Sequence, residues 1–350
     1  MGGISMKKIR GVNLGSWLVL ERWMIPYLFD DMALEDEGKM TLDFSSYEYT
    51  LKRNLHYASF ITERDFMKIK AMGLNLIRIP VPHTMFHPQS QVVHYIDHAF
   101  MWAKKYGLLI LLDLHTVPGG QNGLDNSCHY HQITWDQSEE NIKETYIVLE
   151  KMMKRYGHQE CLYGIEPMNE PFNEFMFQIF KHDYTKNSKP ICQRNLKQYY
   201  QTCYEMLQKY CPHAKLVIHD SFDLGAWNDF MVGKGYENVV IDTHFYLNFE
   251  RIDKNIIELD DYLNILNNRF LPQLEQASQY HDILVGEWSL GKKITRPNER
   301  EKICHILFEQ QRKVYEKSSG WVFWNYKILS PDRLERDYEL LFQTQLINKF

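Results

Sequence analysis

The chain has 350 residues, enough for two domains of about 150 residues or for one α/β barrel of roughly 250 residues with insertions. An apolar fraction of 44% beside 24% charged residues is the balance of a globular chain with ample core, and it excludes a disordered or coiled-coil protein. A net charge of −5 argues against a nucleic-acid partner held by general electrostatics. Aromatics reach 14%, a rich content; core packing is their commoner use, and those in excess of it often line a ligand cleft.

No apolar run approaches the roughly 18 residues of a membrane span, so no membrane partner is expected. The start, MGGISMKKIRGV, has neither an h-region nor a cleavage site. Residues 1–8 read as an N-terminal extension, the first five appended ahead of Met6, and the rest as one domain. The chain as given is therefore expected in the cytoplasm, or outside the cell if a leader has been removed. Cys128, Cys161, Cys192, Cys203, Cys211 and Cys304 show no C-x-x-C and no regular spacing, which reads as free thiols.

In chain order, eight short apolar runs predict strands at 9–15, 74–81, 108–115, 162–170, 214–220, 238–246, 283–289 and 320–327. Each is continuous and rich in Val, Ile, Leu or aromatics, as a strand buried on both faces requires. Between most of them, apolar residues at three-to-four spacing predict helices over 63–72, 95–106, 138–156, 195–210, 259–279 and 299–317. Gly73, Gly107 and Gly157 sit where helices should end. Eight buried strands alternating with helices predict a (β/α)8 TIM barrel. An open doubly wound sheet is the alternative, but no Gly-x-Gly-x-x-Gly follows the first strand and no phosphate-binding Gly-x-x-x-x-Gly-Lys occurs.

Arg78, Asp113, His115, Asn169, Glu170, Asp220, His244, Tyr246, Glu287 and Trp324 all lie in the C-terminal half of an apolar run. A charge in a buried strand is costly unless paired or functional. In a barrel these ends converge on the face that carries the catalytic loops. Glu170 and Glu287 end runs four and seven, on opposite sides of the mouth. Two carboxylates across a cleft are equipment for glycoside hydrolysis, one protonated to donate to the leaving oxygen and one ionised to attack or to activate water. Asn169 suits a hydrogen bond to a sugar hydroxyl. Arg78, His244 and Tyr246 are placed to hold Glu287 ionised. Trp324 offers a flat face to a pyranose ring. Such carboxylates need no cofactor and no metal.

In order along the chain, RGVNLGSWLVLERW (10–23), GLNLIRIPV (73–81), DLHTVPGGQNGLDNS (113–127), GIEPMNEP (164–171), DTHFY (242–246), GEWS (286–289) and GWVFWNYK (320–327) resemble glycoside hydrolase family 5. These are retaining β-glycosidases of clan A, and the likeness is greatest to the exo-β-1,3-glucanase branch. The resemblance implies that Glu170 is the acid/base and Glu287 the nucleophile. It implies that Arg78, His115, Asn169, His244, Tyr246 and Trp324 build the subsite of the sugar being cleaved, and that Glu21 binds the non-reducing-end glucose. The implied activity is an exo-acting β-glucanase or β-glucosidase working by double displacement on β-linked glucose oligosaccharides or polysaccharides. An endo-glucanase, a mannanase or a small-glycoside hydrolase on the same machinery is the alternative. From another class, an inactive carbohydrate-binding barrel is the third reading.

The chain departs from the branch in several places. Arg22 stands where Pro is usual, Leu124 where a Phe clamps the leaving-group sugar, and Thr243 where a His precedes the strand-6 histidine; Phe249 keeps an aromatic downstream. Branch members from fungi are secreted and disulfide-bonded, whereas this chain reads as a bacterial, intracellular enzyme acting on imported oligosaccharides. Other signals have plainer readings. His129 and His131 beside Cys128 suggest a metal cluster, but a surface or cleft-lining loop is the better reading. His94 and His98 read as a solvated helix face, and Glu166 as a buried structural carboxylate. Lys292, Lys293 and the charges from Arg296 to Lys302 read as a solvated loop and helix start. Trp17 and Trp23 flank Glu21, with core packing the default for each.

Overall fold

The computed structural model describes residues 8–30, 32–33, 37–233, 235–247, 258–291, 299–330 and 333–350. Phe249, Lys292, Lys293, Arg296 and most of the N-terminal extension lie outside the described residues. Eight parallel strands close into a barrel: β1 (Ile9–Asn13), β2 (Leu76–Val81), β3 (Leu109–Leu114), β4 (Leu162–Glu166), β5 (Lys215–His219), β6 (Val239–His244), β7 (Asp282–Glu287) and β8 (Gly320–Phe323). They pair in chain order, and β8 returns to β1 through Ile9 opposite Gly320. All eight predicted runs are strands, but most stop short of the predicted C-terminal end.

The helices are α1 (Glu37–Leu42), α2 (Tyr47–Phe60), α3 (Glu63–Ala71), α4 (Val92–Tyr106), α5 (Glu139–Tyr156), α6 (Glu174–Phe180), α7 (Gln193–Tyr210), α8 (Leu259–Ile265), α9 (Leu271–Ala277), α10 (Arg300–Tyr315) and α11 (Tyr338–Gln343). The helix predicted over 259–279 is interrupted by a π turn, Leu266–Phe270. Pro272 stands just beyond it, and a proline supplies no N–H to continue regular winding. Four helices, α1, α2, α6 and α11, are absent from the sequence reading. In α2 the reason is visible: it buries Arg53 and His56 while exposing Tyr47, Leu51 and Leu55, so no clean apolar stripe marks it. Gly107 ends α4 in the left-handed conformation, whereas Gly157 ends α5 with φ −64° and is called for instead by the close approach of the Tyr210 carbonyl, 2.5 Å from where a Cβ would stand.

Strand alternation divides the barrel into levels. Ile9, Leu76, Leu111, Tyr163, Val217, Val240, Leu284 and Val322, one from each strand, form an apolar cluster apart from the main core. Their neighbours, such as Ile77, Ile110, Leu162, Leu216 and Ile241, belong to the main core with the helices. Two residues beyond that apolar floor on the same strand face come Arg78, Asp113, His219 and Asp242, all fully buried. The lumen is therefore closed by hydrocarbon below and charged above, and the charged level opens toward the C-terminal mouth. The six cysteines are free thiols. No helix among the described residues is long and apolar enough to cross a membrane.

Candidate active site

Arg78 is the hub of the charged level. Its guanidinium is fully buried and meets Glu166 through Nε (2.7 Å) and Nη2 (3.1 Å). It reaches Asp113 through Nη2 (3.1 Å) and Glu287 through Nη1 (3.0 Å). It also donates to the amide oxygens of Asn13 (3.0 Å) and Asn169 (2.8 Å). Burial opposes the cation, but the carboxylates of Asp113, Glu166 and Glu287 outweigh burial and hold Arg78 protonated. Glu166 thus is the buried structural carboxylate of the sequence reading.

Glu287 ends β7 and is 4% exposed. Each of its oxygens has a donor: Arg78 Nη1 on Oε1, and the Tyr246 hydroxyl on Oε2 at 2.7 Å. Gly286, just before it, is required by a close approach. A Cβ there would stand 2.0 Å from an Asp242 oxygen, and the Gly286 N–H donates to Asp242 at 2.6 Å.

Glu170 lies beyond the end of β4, not in it, so strand alternation from Glu166 does not orient it. Its backbone is left-handed, with φ 48°, a conformation costing a non-glycine residue on the order of 1–3 kcal/mol. Neighbouring bonds hold the turn: Gln121 Nε2 donates to the carbonyls of His115 (2.8 Å) and Asn169 (3.0 Å), and the Ser221 hydroxyl to that of Pro171 (2.6 Å). Glu170 Oε1 accepts from His244 Nδ1 at 2.7 Å and Oε2 from Asn126 Nδ2 at 2.8 Å.

His244 Nδ1 is also 3.6 Å from Glu287 Oε2, so one imidazole stands between the two glutamates. Burial disfavours its charge, but Glu287, Asp242 and Glu170 together raise it well above the usual imidazole value. Burial likewise raises Glu170, yet the hydrogen bond and charge of His244, with Asn126, leave it below the ordinary carboxyl value. Glu287 is raised, chiefly by burial and by the Glu170 carboxylate, against His244 and Arg78. The two shifts together favour a charged His244 beside an ionised Glu170.

The remaining predicted residues surround this pair. Asp113 accepts from His115 Nδ1 at 2.5 Å, which leaves His115 Nε2 facing the Asn169 amide at 3.4 Å. The His115 ring lies parallel to Trp324, centroids 5.8 Å apart. Glu21 is 3% exposed; Trp23 Nε1 donates to its Oε2 at 2.8 Å, and its Oε1 has no protein partner. Burial, then Asp125, raise the Glu21 acid well above its ordinary value. Trp17 by contrast is core, its N–H spent on the Tyr57 carbonyl. Thr243, where the branch has His, donates to Asp220 at 2.7 Å.

Four contributors escaped the sequence reading: Asn13 on Arg78, Asn126 on Glu170, Gln121 under the Glu170 turn, and Asp125 facing Glu21. His129 stacks on His83 with centroids 5.7 Å apart. The clusters tight enough for a cation among the described residues are instead Glu170–His219–His244 and Glu166–Asp242–His244. The 2.7 Å contact from Glu170 to His244 has the length of a charge-assisted hydrogen bond, so in both clusters His244 is already engaged by a carboxylate.

The loop that carries Glu21 rests on His56. Its Nε2 donates to the Ser16 carbonyl at 2.6 Å, so its Nδ1 accepts from the Tyr27 hydroxyl at 2.8 Å and the ring is neutral. Burial lowers this histidine to about 4. The unfolded chain takes up that proton near pH 6.5 and the folded chain only near 4, so this contribution is complete above 6.5 and is lost between those values. His56→Gln is expected to give a shallower fall of Tm than wild type between pH 6.5 and 4, read by thermal melts. Parallel curves would refute a neutral buried His56.

An eight-stranded barrel whose C-terminal mouth holds two buried glutamates around one histidine is the architecture of an O-glycosyl hydrolase. The cellulase model of glycosyl hydrolase family 5 matches residues 37–330. The chain belongs to that family. A probable glucan 1,3-beta-glucosidase A of Emericella nidulans is 34% identical, covering 92% of this chain and 85% of that protein. A glucan 1,3-beta-glucosidase of Blumeria graminis is 32% identical, covering 92% and 82%. Among solved structures, the rutinosidase from Aspergillus niger superposes with a TM-score of 0.81 at 20% identity over 98% of both chains, a likeness of fold.

Proposed function

We propose that this chain is an exo-acting, retaining β-glucanase that removes glucose from the non-reducing end of β-1,3-linked oligosaccharides. The observation that carries the reading is that Glu170 and Glu287 meet one imidazole nitrogen, at 2.7 and 3.6 Å. Both carboxyl groups therefore face one small space, as the roughly 5–5.5 Å separation of a retaining pair requires. Glu287 has fixed donors on both oxygens and attacks the anomeric carbon. Glu170 donates to the leaving oxygen, then takes the proton from the water that hydrolyses the glycosyl ester. The hydrogen bond from His244 Nδ1 to Glu170 Oε1 provides a route by which that carboxyl can be reprotonated. Arg78 and Tyr246 orient the nucleophile, Asn169 meets the sugar, and Trp324 with His115 offers it an aromatic face. Glu21, buried behind Trp23 with an unpaired oxygen, closes the glycone end and accepts from the terminal glucose. The β-1,3 linkage is supported by the names of the relatives that share about a third of this sequence.

Hydrolysis of laminari-, cello- and gentio-oligosaccharides, followed by product size and anomeric form, tests the reading. Release of β-glucose one unit at a time, fastest on the laminari series, is expected. Mixed internal fragments would replace exo- by endo-action, and a first product of α configuration would overturn retention.

A further inference from the structure

Two cavities lie on the side served by the loops after β4, β5 and β6, the first of them beside residues that touch the glutamates. In a closed eight-stranded barrel β5 is diametrically opposite β1, whose loop carries Glu21. The first cavity, about 170 Å³, is lined by His244 and Tyr246, which touch the glutamates, and by Phe175, Phe222 and Arg269. The second, about 550 Å³, is lined by Asn173, Ile191 and Gln193. Phe175, Asp220 and Asp223 border both, so the two are consecutive spaces leading away from the reacting centre.

Phe175 is the partition. It is 59% exposed, on the first turn of α6. A single exposed aromatic needs no explanation by itself. This one is held in place: Asn173 caps α6 by accepting from the Met176 N–H at 2.9 Å, and its amide donates to the Ser221 carbonyl at 2.6 Å. The helix start is thereby tied to the loop after β5. A pyranose ring has an apolar C–H face that covers an aromatic ring, and hydroxyls at its edge that need polar partners such as Asp223 and Gln193.

We propose that Phe175 is a stacking platform for the leaving-group part of the substrate, and that the two cavities take the first and second sugars beyond the cleaved bond. The inference rests on the exo-glucanase reading above, which places the glycone at Glu21 and so leaves this side to the reducing end.

The test compares kcat/KM of wild type, Phe175→Ala and Phe175→Trp on β-glucosyl fluoride and on di- to tetrasaccharides of the β-1,3, β-1,4 and β-1,6 series. The fluoride fills only the glycone site and reports whether the catalytic centre is intact. Wild type is expected to gain from disaccharide to trisaccharide. Phe175→Ala should lose about tenfold on the trisaccharide with the fluoride rate unchanged, and Phe175→Trp should recover most of it. The same chain-length profile in wild type and Phe175→Ala would overturn the platform while leaving the exo-glucanase reading standing. Wild type inert toward the fluoride, or turning over the fluoride but no oligosaccharide, would overturn that reading and this inference with it.

Discussion

Glu287→Ala is expected to lower turnover by roughly 10⁴-fold or more, and azide is expected to restore part of it on an aryl β-glucoside with a good leaving group. The alanine opens a space on the face of the anomeric carbon opposite the leaving group, so azide enters there and the product is the α-glucosyl azide. Glu170→Ala should show the reverse geometry. Glu287 still forms the glycosyl ester when the leaving group needs no acid, azide then attacks from the side vacated by Glu170, and the product is the β-glucosyl azide. The two anomers assign the roles independently of rate. Neither loss should come from misfolding. Without Glu287, Arg78 keeps Glu166 at 2.7 Å and Asp113 at 3.1 Å. Glu287 is a carboxylate whose burial raises its acid, so its removal relieves as well as removes. Tm should stay within a few degrees of wild type. Near-normal turnover by Glu287→Ala, or α-azide from both variants, would refute the assignment.

The barrel was legible because strands buried on both faces write themselves as unbroken apolar runs, and all eight runs are strands in the order in which they occur. Their ends were less legible. The run 162–170 looks continuous, yet β4 stops at Glu166: Pro167 has no N–H to extend the ladder, and Glu170 turns left-handed. Helices with an apolar stripe were found; α2, which faces inward with Arg53 and His56, was not. The glutamates, Arg78, His244 and Tyr246 were readable from their place at strand ends. Their wiring was not. Sequence reasoning directed His244 to Glu287, whereas its hydrogen bond goes to Glu170 and Glu287 is 3.6 Å away. Asn126 and Gln121 act because the loop after β3 folds back over the mouth, and nothing in a linear spacing says which loop amide will face a carboxylate 44 residues later or a backbone carbonyl 48 residues later. Asn13 was hidden for another reason: a neutral residue at the end of a short strand looks like a strand end, and its value appears only when Arg78 reaches it.

The second large effect is expected at Arg78, and the two obvious substitutions should separate its charge from its shape. Arg78→Leu leaves Glu166, Asp113 and Glu287 in a fully buried level without their common cation. Breaking one partner out of a buried ionic network costs about 3–5 kcal/mol, so this variant should melt far below wild type and lose nearly all activity. Arg78→Lys restores a charge but not the fork. One ammonium cannot serve Glu166, Glu287, Asn13 and Asn169, which are spread over all three nitrogens of the guanidinium. It should fold, with a smaller loss of Tm, and lose roughly 10²-fold in kcat/KM because Glu287 and Asn169 are no longer held relative to each other. The pH profile distinguishes this from simple loosening. Arg78 favours ionised Glu287, so weakening that contact raises the Glu287 acid further. Glu287 must be ionised to attack, so the acidic limb of kcat/KM in Arg78→Lys should move to higher pH. A lysine variant with reduced rate and an unmoved acidic limb would mean that Arg78 holds the barrel mouth together without tuning its nucleophile.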